Sequence, residues 1–182
     1  MRTFIAVRIP GLHSIDSVLR HLSMLQPALR TVASDQLHVT LVFLGETDES
    51  LLPELTQILH DVAVTEAPHT LALRGLGVFP RITHPTVVWA GFTDPGPLVR
   101  MAEQLVRRCE ALGFAREARP FHPHLTLARV KAKPPDELAG YIQARADADF
   151  GSVTISSLEL YRSDMGPAGP VYTSLVRASL TA

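Results

Sequence analysis

His38-Val39-Thr40-Leu41 and His124-Leu125-Thr126-Leu127 are nearly the same four-residue phrase, written twice and 86 residues apart in a chain of 182. In an extended strand successive side chains alternate between faces, so His38 and Thr40 share one face while Val39 and Leu41 share the other. His124 and Thr126 are related in the same way. Each strand therefore offers an imidazole beside a hydroxyl, backed by an apolar face that can anchor it. Scattering 8 His and 14 Thr at random gives roughly 0.6 His-x-Thr triplets, and three occur. The third, His84-Pro85-Thr86, lies in a proline-rich turn. Pro85 has no N–H to give a ladder, which argues against a mid-sheet position. What distinguishes the other two is their equivalent placement.

Around each phrase the hydrophobic pattern runs in the same order. Residues 3–9 read as a strand ended by Pro10-Gly11, and Ile15, Val18, Leu19, Leu22, Leu25 and Leu29 recur at helical spacing. Residues 36–44 form the strand of the first phrase. Asp48 can cap a helix carrying Leu51 to Val62, and residues 70–79 return to strand. After a turn from Pro80 to Pro85 come a strand at 86–92, a helix over 98–112 stopped by Gly113, and the strand of the second phrase at 121–130. A helix at 136–146 and strands at 152–162 and 171–179 complete the chain. This order predicts an α+β fold. Residues 1–182 form one domain of two pseudo-symmetric lobes, approximately 1–84 and 85–182, each a sheet flanked by helices, with strands open to exchange between them.

Hydrophobic residues are 46% and charged residues 19%, so the chain can bury a core and is not of the disordered class. Lys plus Arg is 17 against 18 acidic residues, a net charge of −1 that excludes a basic-tail nucleic-acid binder but not a local basic patch. Residues 100–133 carry eight Arg or Lys against three Glu. That stretch can guide an RNA backbone, and it can equally be the polar face of a helix. The single cysteine, Cys109, rules out an intrachain disulfide and falls on the apolar face of a helix. The start of the chain is too short in apolar residues for a signal h-region, and no run elsewhere is long enough to span a membrane. The expected setting is the cytoplasm.

Two imidazoles and two hydroxyls suit metal-free phosphodiester hydrolysis. In-line displacement puts the attacking and leaving oxygens on opposite sides of phosphorus, so one group must take a proton while another, across the site, gives one. Imidazole does either near neutrality. Threonine hydroxyls can hydrogen-bond the non-bridging oxygens.

The two phrases come with further matching context. This comprises Phe121-His122-Pro123-His124-Leu125-Thr126-Leu127-Ala128-Arg129, the start Arg2-Thr3-Phe4-Ile5-Ala6, and Leu160-Tyr161-Arg162-Ser163 followed by Gly-Pro-rich residues and Tyr172-Thr173. Together they resemble the 2H phosphoesterase superfamily, and within it the RNA 2′,3′-cyclic phosphodiesterases, also called 2′-5′ RNA ligases. The resemblance covers nearly the whole chain. It implies a bilobal fold of mainly antiparallel sheets with a cleft between them. It also implies hydrolysis of a terminal 2′,3′-cyclic phosphate to a 2′-phosphate, reversible 2′-5′ joining, and no metal or cofactor. By the same resemblance His38 is the proton donor and His124 the proton acceptor.

Arg129 matches the arginine that follows the second phrase in that family and can neutralise phosphate. Strand parity sends it away from the histidine face unless the strand bulges. Phe4, Phe121 and Tyr161 are candidates to bind substrate by stacking on a base, with core packing as the alternative use. His122 and His124 share parity, but no Asp, Glu or Cys lies near enough in sequence to complete a metal site. The expected partner is RNA ending in a cyclic phosphate, tRNA fragments included, or a small nucleotide, bound by a monomer. Two other readings compete. One is the same chemistry on cyclic nucleotides, ADP-ribose cyclic phosphate or 2′-5′ oligoadenylate. The other is a non-catalytic RNA- or nucleotide-binding module.

Overall fold

A computed structural model of the protein describes residues 1–167 and 169–182. Among the described residues nine strands form two antiparallel sheets. Sheet one runs in the order β3 (His38–Glu46), β1 (Arg2–Arg8), β8 (Ser157–Gly166), β9 (Gly169–Ser179). Sheet two runs β2 (Leu29–Thr31), β6 (Leu125–Val130), β5 (His84–Phe92), β4 (His69–Arg81), β7 (Asp149–Ile155). Helices α2 (Leu52–Ala63) and α3 (Gly96–Ala111) cover sheet one, while α1 (His13–Ser23) and α4 (Glu137–Gln143) cover sheet two. Strands β2 and β4 come from the first half of the sequence yet lie in sheet two. Strands β8 and β9 come from the second half and lie in sheet one.

The helices sit where apolar spacing put them. Ile15, Val18, Leu19 and Leu22 form the buried stripe of α1, and Leu98, Met101, Ala102, Leu105 and Cys109 that of α3. Strand β1 is central, and Thr3 to Val7 are all buried, as expected of a strand covered on both faces. One continuous apolar core joins both sheets to their helices.

Several boundaries differ from the sequence reading: the turn expected from Pro80 to Pro85 shrinks to Ile82-Thr83, with His84 and Pro85 opening β5, and three other differences have clear causes. Helix α1 stops at Ser23; Leu25 and Leu29 are buried, but through a turn around Pro27, and Leu29 opens the short strand β2 against β6. Residues 121–124 are not part of the strand, because Pro120 and Pro123 cannot donate to a ladder, and pairing begins at Leu125. The stretch 152–162 is two strands in different sheets, broken at Ser156. Burial alternates over Val153 and Ile155, then slips by one position to Leu158 and Leu160. That slip in phase marks the crossing from sheet two to sheet one.

Candidate active site

His38 opens β3, and its Nδ1 donates to the carbonyl of Gln36 at 2.7 Å. His124 immediately precedes β6, and its Nδ1 donates to the carbonyl of His122 at 2.6 Å. Both rings are thus anchored to the carbonyl two residues upstream. A carbonyl can only accept, so this geometry assigns the proton to Nδ1 and leaves the Nε2 lone pair for chemistry. The matched anchors extend to packing. Tyr172 meets His38 edge-on with ring centroids 5.0 Å apart, and Phe79 meets His124 edge-on at 4.9 Å.

Burial pushes both imidazole pKa values below the usual 6.5, against the raising effect of the two backbone carbonyls. The charge of Arg129 lowers both further, and the charge of His124 also lowers that of His38. Two strands from different sheets therefore bring their imidazoles and one guanidinium into a shared electrostatic environment.

Arg129 reaches that environment through a β-bulge. Along β5 and β6, Trp89 pairs with Thr126 and Val88 with Ala128, so Leu127 is an extra residue. The extra residue resets the alternation. Leu127 and Ala128 are both buried, and Arg129 emerges on the open face with Thr126. The same device occurs in the first phrase. Ala6 pairs with Thr40 and Ile5 with Val42, leaving Leu41 as the extra residue, and Phe43 emerges 57% exposed. Phe43 is the structural counterpart of Arg129, five residues beyond its histidine. Superposing the two halves of the sequence would have picked it out.

The aromatic candidates separate. Phe4 is only 3% exposed; it stacks under Tyr161 with centroids 5.2 Å apart and lies 5.1 Å from His38, so it supports these rings more than it offers a face to a ligand. Tyr161 is partly open, and its hydroxyl is held protonated by burial and by the neighbouring Glu159 carboxylate. Among the described residues Phe121 joins neither aromatic cluster. It lines a 380 Å³ pocket with Phe43 and Arg119, between β3, α3 and the segment leading to His124. Sequence reasoning missed Phe79 as the support of His124. Its signal was weak, since Phe79 lies in β4 and depends on a β4–β5 pairing that no motif announces. Trp89 lies across Gly77 and touches both Phe79 and His122.

Among the described residues no group of three or more His, Cys, Asp or Glu is placed to hold a metal ion. His122 stands 6.3 Å from His124 between ring centroids and packs on Phe79 and Trp89. The Cys109 thiol is buried, which pushes its pKa up to about 11 and leaves it unreactive. No helix among the described residues is long and apolar enough to cross a membrane.

Two antiparallel sheets flanked by helices, one carrying the His38-Val39-Thr40 phrase and the other entered through His124-Leu125-Thr126, give the architecture of a 2H phosphoesterase. The family model of the 2′-5′ RNA ligase superfamily matches residues 14–167, and the chain belongs to that family. Its relatives include the RNA 2′,3′-cyclic phosphodiesterase of Archaeoglobus fulgidus, 34% identical over 96% of this chain and 98% of that protein. The enzyme of the same name from Thermus thermophilus is 38% identical over 83% of this chain and 75% of its own. Among solved structures, TT0787 of Thermus thermophilus aligns with a TM-score of 0.81 at 35% identity, covering 99% of this chain and 98% of that one. E. coli LigT complexed with 3′-AMP aligns at 0.74 and 29% identity, covering 100% and 98%.

Proposed function

We propose that this protein hydrolyses the 2′,3′-cyclic phosphate at RNA ends to a 2′-phosphate. The observation that carries the reading is the pair of carbonyl-anchored imidazoles, one from each sheet, under the shared charge of Arg129. The names of the relatives give the substrate class. In this reading His124 takes a proton from water as the water attacks phosphorus, and His38 in its imidazolium form protonates the leaving O3′. Thr40 and Thr126 donate to the non-bridging oxygens, and Arg129 balances the charge that grows there. With a 5′-hydroxyl in place of water, the same path joins two ends through a 2′-5′ link, the P–O3′ bond breaking as the new P–O5′ bond forms, and its reverse cleaves that link. The two imidazoles supply both proton transfers, so no step needs a divalent ion. One chain contributes both histidines, which fits a monomer, and an RNA substrate fits the cytoplasm.

The test is turnover of an oligonucleotide ending in 2′,3′-cyclic phosphate, in excess EDTA, with the product isomer identified. Turnover to a 2′-phosphate is expected. A 3′-phosphate product would reverse the orientation. Activity lost on chelation and restored by one specific ion would overturn the metal-free mechanism. Binding without turnover would favour the non-catalytic module. A kcat/KM higher for a small cyclic nucleotide than for the oligonucleotide would favour the small-substrate reading.

A further inference from the structure

A 370 Å³ pocket opens at the end of sheet one, lined by Arg8, Thr154, Ser156, Ser157, Glu159 and Arg177 among others. We propose that Arg8, with Arg177 beside it, binds the phosphate on the 5′ oxygen of the terminal nucleoside, so that the site reads a continuing RNA chain as well as its cyclic end. The proposal rests on the hydrolytic reading above.

Arg8 is the cross-strand partner of His38. Directly opposed residues lie about 4.5–5.5 Å apart in an antiparallel pair and project from the same face of the sheet. A cyclic-phosphate end has one other phosphate within a nucleoside of the reacting one, and it is on the 5′ oxygen. A cation one strand over from His38 is suited to meet it.

The charges in the pocket leave Arg8 available. The Glu159 carboxylate is 1% exposed and fully occupied. Ser174 Oγ donates to Oε2 at 2.6 Å, while Arg177 Nε and Nη2 reach Oε1 at 3.0 and 2.9 Å. Glu159 and Arg177 therefore balance each other, and Glu159 fixes the direction of the Arg177 fork. Arg8 is exposed and forms no ion pair among the described residues. Its recorded contact is a long one, Nη2 to the carbonyl of Asp35 at 3.5 Å. Both arginines also act on Tyr161, opposing the rise in its pKa, so their charge extends toward the floor beside His38. Ser156, Ser157 and Thr154 also line the pocket, the Thr154 hydroxyl being paired with that of Thr70 at 3.1 Å. The Arg8 fork, unpaired among the described residues and beside an Arg177 already oriented by Glu159, matches the planar, multidentate recognition of a phosphate.

The experiment compares kcat/KM for a nucleoside 2′,3′-cyclic phosphate, its 5′-phosphorylated form and a dinucleotide ending in cyclic phosphate. It uses wild-type protein, Arg8→Ala and Arg8→Lys. Wild type is expected to favour the two substrates carrying the extra phosphate by about tenfold or more. In Arg8→Ala that preference shrinks to within about twofold, and in Arg8→Lys it is partly restored. The salt dependence of the dinucleotide reaction also weakens in Arg8→Ala, by one phosphate contact or about 0.7 in log–log slope. A wild-type ratio near one, or a ratio unchanged in Arg8→Ala, would overturn the site. Calorimetric binding of nucleoside 2′-phosphates with and without a 5′-phosphate reads the same contact without turnover. If no substrate is hydrolysed, the function fails while the binding comparison still decides the site.

Discussion

At the scale of single residues the two histidines set both activity and acid sensitivity. His38→Ala and His124→Ala should each lower kcat/KM by roughly 10²–10⁴-fold, with the double variant little worse than the worse single. Near-wild-type turnover in either would sink the two-histidine mechanism. Burial, first of all, holds both imidazole pKa values below those of the unfolded chain. As pH falls through about 6.5 the unfolded state takes up protons before the native state does. Stability that is full above that pH is therefore lost on the way down to the lower native values. Replacing both rings by Asn should shrink the drop in Tm between about pH 7.5 and pH 5, and an undiminished drop would place acid sensitivity elsewhere. Arg129→Gln removes a positive neighbour from both imidazoles. It should shift both limbs of the kcat/KM–pH profile upward while reducing the rate, a combination that simple loss of a structural contact would not give.

At the scale of elements the phrases were legible and their consequences only partly so. Alternation put His38 with Thr40 and His124 with Thr126, and the apolar neighbours Val39, Leu41, Leu125 and Leu127 are all buried. It failed at Arg129, because a bulge is a pairing event: the count of residues on β6 exceeds that on β5, and one strand's sequence does not contain its partner's count. Sheet membership was hidden for the same reason. The support beneath His124 depends on another such pairing, in which Gly77 of β4 lies opposite Trp89 of β5 and leaves room for the indole. A Cβ at Gly77 would drive into the six-membered ring of Trp89, which in turn packs on Phe79 behind His124. Gly77→Ala should cost about 1–3 kcal/mol of stability through overpacking and should also reduce kcat/KM at temperatures where the protein remains folded. An unchanged denaturation midpoint would show that the indole has room to move.

At the scale of the whole molecule, the internal duplication and the folding unit are different things. A fragment of residues 1–83 holds β1 and β3 as neighbours, but β2 and β4 are separated in sheet two by β6 and β5, which it lacks. The fragment 84–182 holds β5 beside β6 and β8 beside β9, but β7 needs β4 as its neighbour. Each fragment would leave paired strands without the rest of their sheet, and isolated two-stranded units are marginal in water. The helices are divided too, since α2 and α3 come from different halves yet pack together over sheet one. Neither fragment alone should show a cooperative thermal transition. Mixed or co-expressed, they should regain one, because the cut falls in the tight turn between β4 and β5 and leaves every sheet neighbour available. Turnover should appear only in the mixture, as each fragment brings one histidine, and a mixture made with a His38→Ala first fragment should fold and remain inactive. Cooperative unfolding of either fragment by itself would show that the sequence halves are the folding units and that strand exchange between them is secondary.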